Sequence, residues 1–144
     1  MAENARRILL NQGKIFWDGE IIADGVSCVI TITPTVTEST SLGEITPSSR
    51  WAGVKYKVDV KSYRSKPYAK EYVKEYINTG LAPEVTIQGI QDDKGSDYYE
   101  AYGAETVTAT GCIATGDIVA LNVDASSSDH FQDSITFAAK NIQF

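Results

Sequence analysis

Histidine is nearly missing from this chain. The single one, His130, lies in a serine- and aspartate-rich turn. A serine triad would therefore have to be built on an exposed loop residue, and no Gly-x-Ser-x-Gly elbow is present to supply the nucleophile. Cysteine is scarce as well. Cys28 and Cys112 stand far apart in apolar surroundings and match no metal-ligand spacing, which predicts a reduced, buried pair made in a reducing cytoplasm. No apolar run reaches the length of a membrane span, and the apolar segment within residues 1–13 is too short for a secretory signal, an argument against export by that route. Basic residues are few in the second half: residues 81–144 hold 2 Lys and Arg against 10 Asp and Glu, whereas residues 1–80 hold 11 against 9. The net charge of −6 argues against an ordinary nucleic-acid-binding surface. Halves of opposite sign are read either as a solvated acidic face or as a means for copies to meet basic side to acidic side.

Known chemical motifs fail one by one. Gly111 and Gly116 have the spacing of phosphate-loop glycines, but Asp117 stands where the lysine is required and would repel a phosphate. Asp92, Asp93 and Asp97 imitate a calcium loop without the ligand order or the closing glutamate of an EF-hand. Glu100 and Glu105 could form a carboxylate pair, although acids in an acidic half are no sign of a shifted pKa. No catalytic, cofactor-binding or metal-binding residue is assigned, and no cofactor is expected.

What the chain does contain is alternation. From Val54 to Val60, apolar Val54, Tyr56, Val58 and Val60 point one way and Lys55, Lys57, Asp59 and Lys61 the other, which predicts a strand with one dry and one wet face. Pro67 then opens a helix over about 67–79 in which Tyr68, Tyr72, Val73, Tyr76 and Ile77 recur on one face and are read as packing residues. Gly80 ends it, and Val85 and Ile87 begin another strand. Earlier, Asp18-Gly19 predicts a two-residue hairpin turn, and Cys28, Ile30 and Ile32 form the dry side of a β-branched strand with Pro34 at an edge or bulge. Residues 37–50, TESTSLGEITPSSR, are polar and aperiodic, which predicts a long exposed loop. Residues 91–98 read as a hairpin connection, residues 98–125 as β-rich, with a sandwiched strand around Ile118 to Val123, and residues 131–144 as a closing strand. The sum is a single domain over 1–144, mainly β, a β-sandwich or partly open barrel of about seven or eight strands with one flanking helix.

Eight tyrosines and two tryptophans also raise the possibility of a monomeric carbohydrate-binding module, for which Tyr98, Tyr99 and Tyr102 are the candidate platform.

The order of these features resembles a known family. A GKIFWDGEII hairpin, an alternating strand and a polar loop precede the strand WAGVKYKVDVKSYRSK, a tyrosine-rich helix ending EYINTG, and the strand VTIQGIQDD. This series is similar to the tail tube (core tail) proteins of contractile phage tails, phage-like elements and R-type bacteriocins, most strongly over residues 51–93. The resemblance implies a structural subunit and not an enzyme. It implies hexameric rings whose sheets join edge to edge, stacked into a hollow tube with a channel for DNA or ions. It implies sheath, baseplate and tail-terminator proteins as partners, transit of DNA without specific binding, and no membrane insertion. Assembly in the bacterial cytoplasm would precede incorporation into a tail or a released particle. In that arrangement Ser39, Thr40, Ser41, Leu42, Glu44, Ile45, Thr46 and Ser48 would bridge rings, and the Lys55, Lys57, Asp59 and Lys61 face would line the lumen or the outside.

Overall fold

The computed structural model describes residues 6–39, 42–43 and 48–144. Ten elements follow one another: β1 (Gly13–Trp17), β2 (Glu20–Ile21), β3 (Gly25–Ser39), β4 (Ser48–Tyr63), α1 (Tyr68–Thr79), β5 (Val85–Gln91), α2 (Asp97–Tyr102), β6 (Glu105–Ala114), β7 (Gln132–Ala139) and β8 (Asn141–Gln143). The strands make one antiparallel sheet in the order β2-β1-β5-β6-β7-β4-β3, with β8 also on β6. It curls over its own core without closing, leaving the β3 margin opposite the β1–β2 margin. The predicted class, a sandwich or open barrel with a helix on its flank, is what the chain adopts.

The C-terminal strand joins the two halves of the curl. Along one edge β7 pairs with β4 from Gln132 to Ala139. Along the other, β7 and then β8 pair with β6, and the register is unbroken from Ala114↔Phe137 to Thr108↔Gln143. The two segments are thus one strand with an interruption at Lys140, whose backbone N–H still reaches the Thr110 carbonyl at 3.0 Å. Opposite it lies Gly111, at φ +66°, where a Cβ would come within 2.9 Å of the Lys140 side chain. Only glycine takes that conformation without strain.

Inside the curl, Val58 and Val60 are buried while Lys55, Lys57 and Lys61 are exposed, as the alternation requires. Phe137 is fully buried and meets the edges of Trp17 and Tyr72 at centroid distances of 5.4 and 6.0 Å. Trp17 also meets Tyr68 at 5.1 Å. Helix α1 therefore reaches the core through its first turns. Ala69 and Tyr72 are buried, and the Tyr72 hydroxyl accepts the Ala114 N–H at 3.0 Å. The packing expectation fails for the remaining three positions: Val73, Tyr76 and Ile77 are 37%, 53% and 73% exposed. The helix outruns the surface it sits on, so one continuous apolar stripe is half seated and half bare.

Three further corrections concern element limits. Residues 37–39 and 48–50, expected in a loop, are paired strand, from Thr37↔Arg50 to Ser39↔Ser48. Residues 97–102 form helix α2, where the end of a hairpin connection (91–98) and the start of a β-rich stretch (98–125) were expected; Ser96 caps it by accepting the Tyr99 N–H at 3.1 Å. Residues 118–123 belong to no strand. Ile118 alone packs against the core, and the rest of residues 117–131 joins β6 to β7 as an irregular strap.

Arg64 secures that strap. Its guanidinium holds the Asp133 carboxylate through Nε and Nη2, the latter at 2.6 Å, and donates to the carbonyls of Ala120 and Val119 at 3.0 and 3.1 Å. It also stacks 4.0 Å over the Phe131 ring. Asp133 is buried, while the Arg64 side chain keeps 31% of its surface in water, so the pair is half-buried with its acidic partner on the inside. We expect Arg64→Ala to cost on the order of 3 kcal/mol, because it leaves a buried carboxylate without its counter-charge. Arg64→Lys should recover only part, since an ammonium lacks the fork that serves carboxylate and carbonyls together. An unchanged urea midpoint in Arg64→Ala would contradict this role.

The two cysteines are reduced, with Cys112 buried and Cys28 half-buried. Burial pushes both thiols up to about 11 from an ordinary 9.0. A thiol kept protonated by the fold contributes stability that is complete below pH 9.0 and is lost as pH rises through about 11. Urea midpoints measured across that window should fall more steeply for the native chain than for Cys28→Ala/Cys112→Ala. Equal slopes would show that burial does not hold the protons.

Candidate assembly surface

Strands β3 and β4 are far longer than their neighbours, and the surplus is what the fold exposes. Strand β4 loses its β7 partner beyond Tyr56↔Ala139, while its pairing with β3 continues to Ser39↔Ser48. The outer part of the hairpin is therefore a two-stranded ribbon standing clear of the sheet. A bulge at Ala52, between the pairs Thr35↔Gly53 and Val36↔Trp51, keeps the apolar residues of both strands on one side. On that side Ile32, Val54, Val36 and Trp51 are 39%, 37%, 50% and 64% exposed. They continue the face that, nearer the base, buries Val58 and Val60. A two-stranded ribbon with a bare apolar face has little stability alone in water.

The ribbon carries a second unsatisfied feature. Strand β3 is hydrogen-bonded to β4 only, so its other edge presents unpaired backbone groups along the margin. Pro34 sits within this edge strand, next to the bulge. Facing the margin across the seam is a cleft of about 520 Å³ lined by Ile15, Ile22, Cys28, Ile30 and Val107 together with Gln91 and Glu105. Here the two layers approach at Gly89, where a Cβ would lie 3.7 Å from the Cys28 sulfur, and at Gly25, where a Cβ would lie 3.0 Å from the Ile15 side chain.

Opposite the core, the sheet face is wet and polar. Lys55, Lys57 and Lys61 project from β4 beside Thr31 and Thr33 of β3, and Asp59 accepts the Thr136 hydroxyl at 2.7 Å. Lys57 approaches Asp59 to 3.7 Å. Of the residues predicted to bridge rings, Ser39 and Ser48 form the last pair of the ribbon and Leu42 is fully exposed. Thr40, Ser41, Glu44, Ile45 and Thr46 lie outside the described residues.

The groups considered for chemistry are not brought into a site. The Glu100 carboxylate is held by Arg6 at 2.6 Å and that of Glu105 by the Tyr98 hydroxyl at 2.7 Å, an acceptor that pushes the phenol up. Asp97 takes the Arg6 backbone N–H and its guanidinium, which together hold its carboxyl below the usual range. Asp93 is occupied by the Leu9 and Gly95 amides. These bonds pin the segment after Arg6 along α2. Among the described residues no three His, Cys, Asp or Glu side chains are placed to share a metal. His130 is exposed, edge-on to Tyr63 at 6.0 Å. Tyr98 and Tyr102 do meet, at 5.1 Å and tilted by 47°, but Tyr98 is tethered to Glu105 and Tyr99 is half-buried, so the three do not make one flat platform. No described helix is long and apolar enough to cross a membrane.

Comparison with solved structures finds this fold in contractile injection systems. The sheath/tube terminator of the extracellular contractile injection system PVC, in its extended state, superposes with a TM-score of 0.73 at 13% identity, with 95% of each chain covered. The sheath-tube complex of that system gives 0.70 at 14% identity over 95% of this chain and 90% of the other. The tube-terminating cap of the anti-feeding prophage gives 0.72 at 12% identity over 95% and 89%. A search of the curated proteins finds no match. The family model described as phage tail tube protein matches residues 2–143, nearly the whole chain. A curled sheet with a free margin and an overlong apolar ribbon, found on a chain that matches this model almost end to end, belongs to the phage tail tube protein family.

Proposed function

We propose that this chain is the repeating structural subunit of the inner tube of a contractile phage tail or phage-tail-like bacteriocin. Copies form hexameric rings, the rings stack, and the central channel passes DNA or ions without binding them specifically. The observation that carries this reading is the unpaired β3 edge beside the exposed ribbon. Unpaired backbone groups at a margin are a liability in a monomer, and pairing with the next copy's margin removes the liability at every position once the ring closes. The polar face bearing Lys55, Lys57 and Lys61 is of the kind a sheet turns toward a water-filled channel or the outer solvent. The residues at the ribbon end, including those at 39–48, bridge one ring to the next. Sheath, baseplate and terminator proteins of the particle are the other partners, assembly takes place in the bacterial cytoplasm, and the work is mechanical, with no reaction. Negative-stain imaging and light scattering of the purified chain over rising concentration should show hexameric rings and hollow tubes. A chain that stays monomeric throughout refutes the proposal.

A further inference from the structure

The segment before β1 is held by charge and not by packing. Residues 6–12 form no strand or helix, none of them is buried, and none belongs to the core or to the residues packed against it. Carboxylates fix the segment instead. The Arg6 backbone N–H donates to Asp97 Oδ2 at 2.9 Å, its Nε to Asp97 Oδ1 at 3.0 Å, and its Nη2 to Glu100 Oε2 at 2.6 Å. Further along, the Leu9 N–H donates to Asp93 Oδ2 at 3.0 Å. Among the described residues the remaining ties are backbone bonds, from the Asp97 N–H to the Arg6 carbonyl at 2.9 Å and from the Asp92 N–H to the Gln12 carbonyl at 3.3 Å.

Exposed ion pairs contribute little one by one, so a segment secured by them opens at low cost while the core beneath stays shut. Its hinge is fixed. At Gly13, where β1 begins, a Cβ would come within 2.5 Å of the Ile90 carbonyl oxygen, so the strand lies hard against β5 from its first residue. The place of the segment gives its release a consequence: Leu10, Asn11 and Gln12 supply part of the lining of the seam cleft of about 520 Å³, which Cys28 and Ile30 of β3 also line. A segment that swings away from α2 takes that part of the lining with it.

We infer that residues 6–12 are a charge-latched flap on the seam cleft, closed while Arg6 and the Leu9 amide sit on the Asp93, Asp97 and Glu100 carboxylates, and open when those charges are removed or screened. The flap is independent of the tube reading. The two cysteines report on it from different places, since Cys28 is half-buried in the cleft and Cys112 is buried in the core. In a dilute solution of the purified chain, Arg6→Ala alters an exposed side chain and should raise the alkylation rate of Cys28 by iodoacetamide on the order of tenfold, with Cys112 still protected, because local opening exposes only what the flap covers. Hydrogen exchange at the Leu9 N–H should quicken in the same variant. Raising salt from about 0.1 M to about 1 M, which shortens the Debye length from about 10 Å to about 3 Å, should move the native chain the same way and change Arg6→Ala less. Native rates in Arg6→Ala at either probe overturn the inference. So does a rise that Cys112 shares equally, which marks loosening of the whole core.

Discussion

Backbone hydrogen bonding at the margins is the constraint from which the rest of the structure follows. A sheet that curls over a core but does not close must end somewhere, and here one end is β3, bonded to β4 alone. The interior meets its own needs: Phe137, Trp17 and Tyr72 interlock, and no described buried side-chain polar atom lacks a partner. The demand left over is at the edge. Desolvating an unpaired amide or carbonyl is costly, so such an edge stays hydrated or finds a second chain.

The core and the ribbon are two halves of one pattern. Strand β4 alternates without a break from Val54 to Val60, yet Val58 is fully buried and Val54 is 37% exposed. What changes between them is the neighbour, not the sequence: β7 pairs beside Val58 and has ended before Val54. The same division runs along α1, where Tyr72 is buried and Ile77 bare. An apolar stripe carried past the end of its own support is a surface shaped by the core's rule and left for something outside the chain.

This explains how much of the molecule could be read in advance. Periodicity revealed the wet and dry faces of β4, the extent of α1, and the turn at Asp18 and Gly19, whose φ values of 50° and 84° are both positive. It could not distinguish a seated face from an overhanging one, which is why Val73, Tyr76 and Ile77 were misplaced. Residues 37–39 and 48–50 looked like loop because a ribbon wet on both sides needs no apolar alternation to pair. The run around Leu121 looked like a sandwiched strand because apolar residues crowd both of its faces, but no neighbouring strand pairs with it. Helix α2 did leave a trace, in Ser96 followed by the acids Asp97 and Glu100, a capped acidic first turn. The Arg64–Asp133 clamp left none, since its partners are 69 residues apart and only the fold joins them.

The two kinds of surface differ in what they can build. An edge that pairs with an identical neighbour's opposite margin is used up when the circle closes, so contacts of that kind fix a number of copies and stop. A bare apolar face asks for something different, apolar surface laid over it in no fixed register. The free edge runs along the side of β3 and the bare apolar face lies across the outer ends of β3 and β4, so the two demands point in different directions within a single sheet. The length of the hairpin is what makes this possible: without the surplus residues beyond Tyr56↔Ala139, the margin would remain but the end patch would not. A shorter ribbon would bare less apolar surface to water, so the surplus length burdens the isolated chain unless that face is covered from outside it.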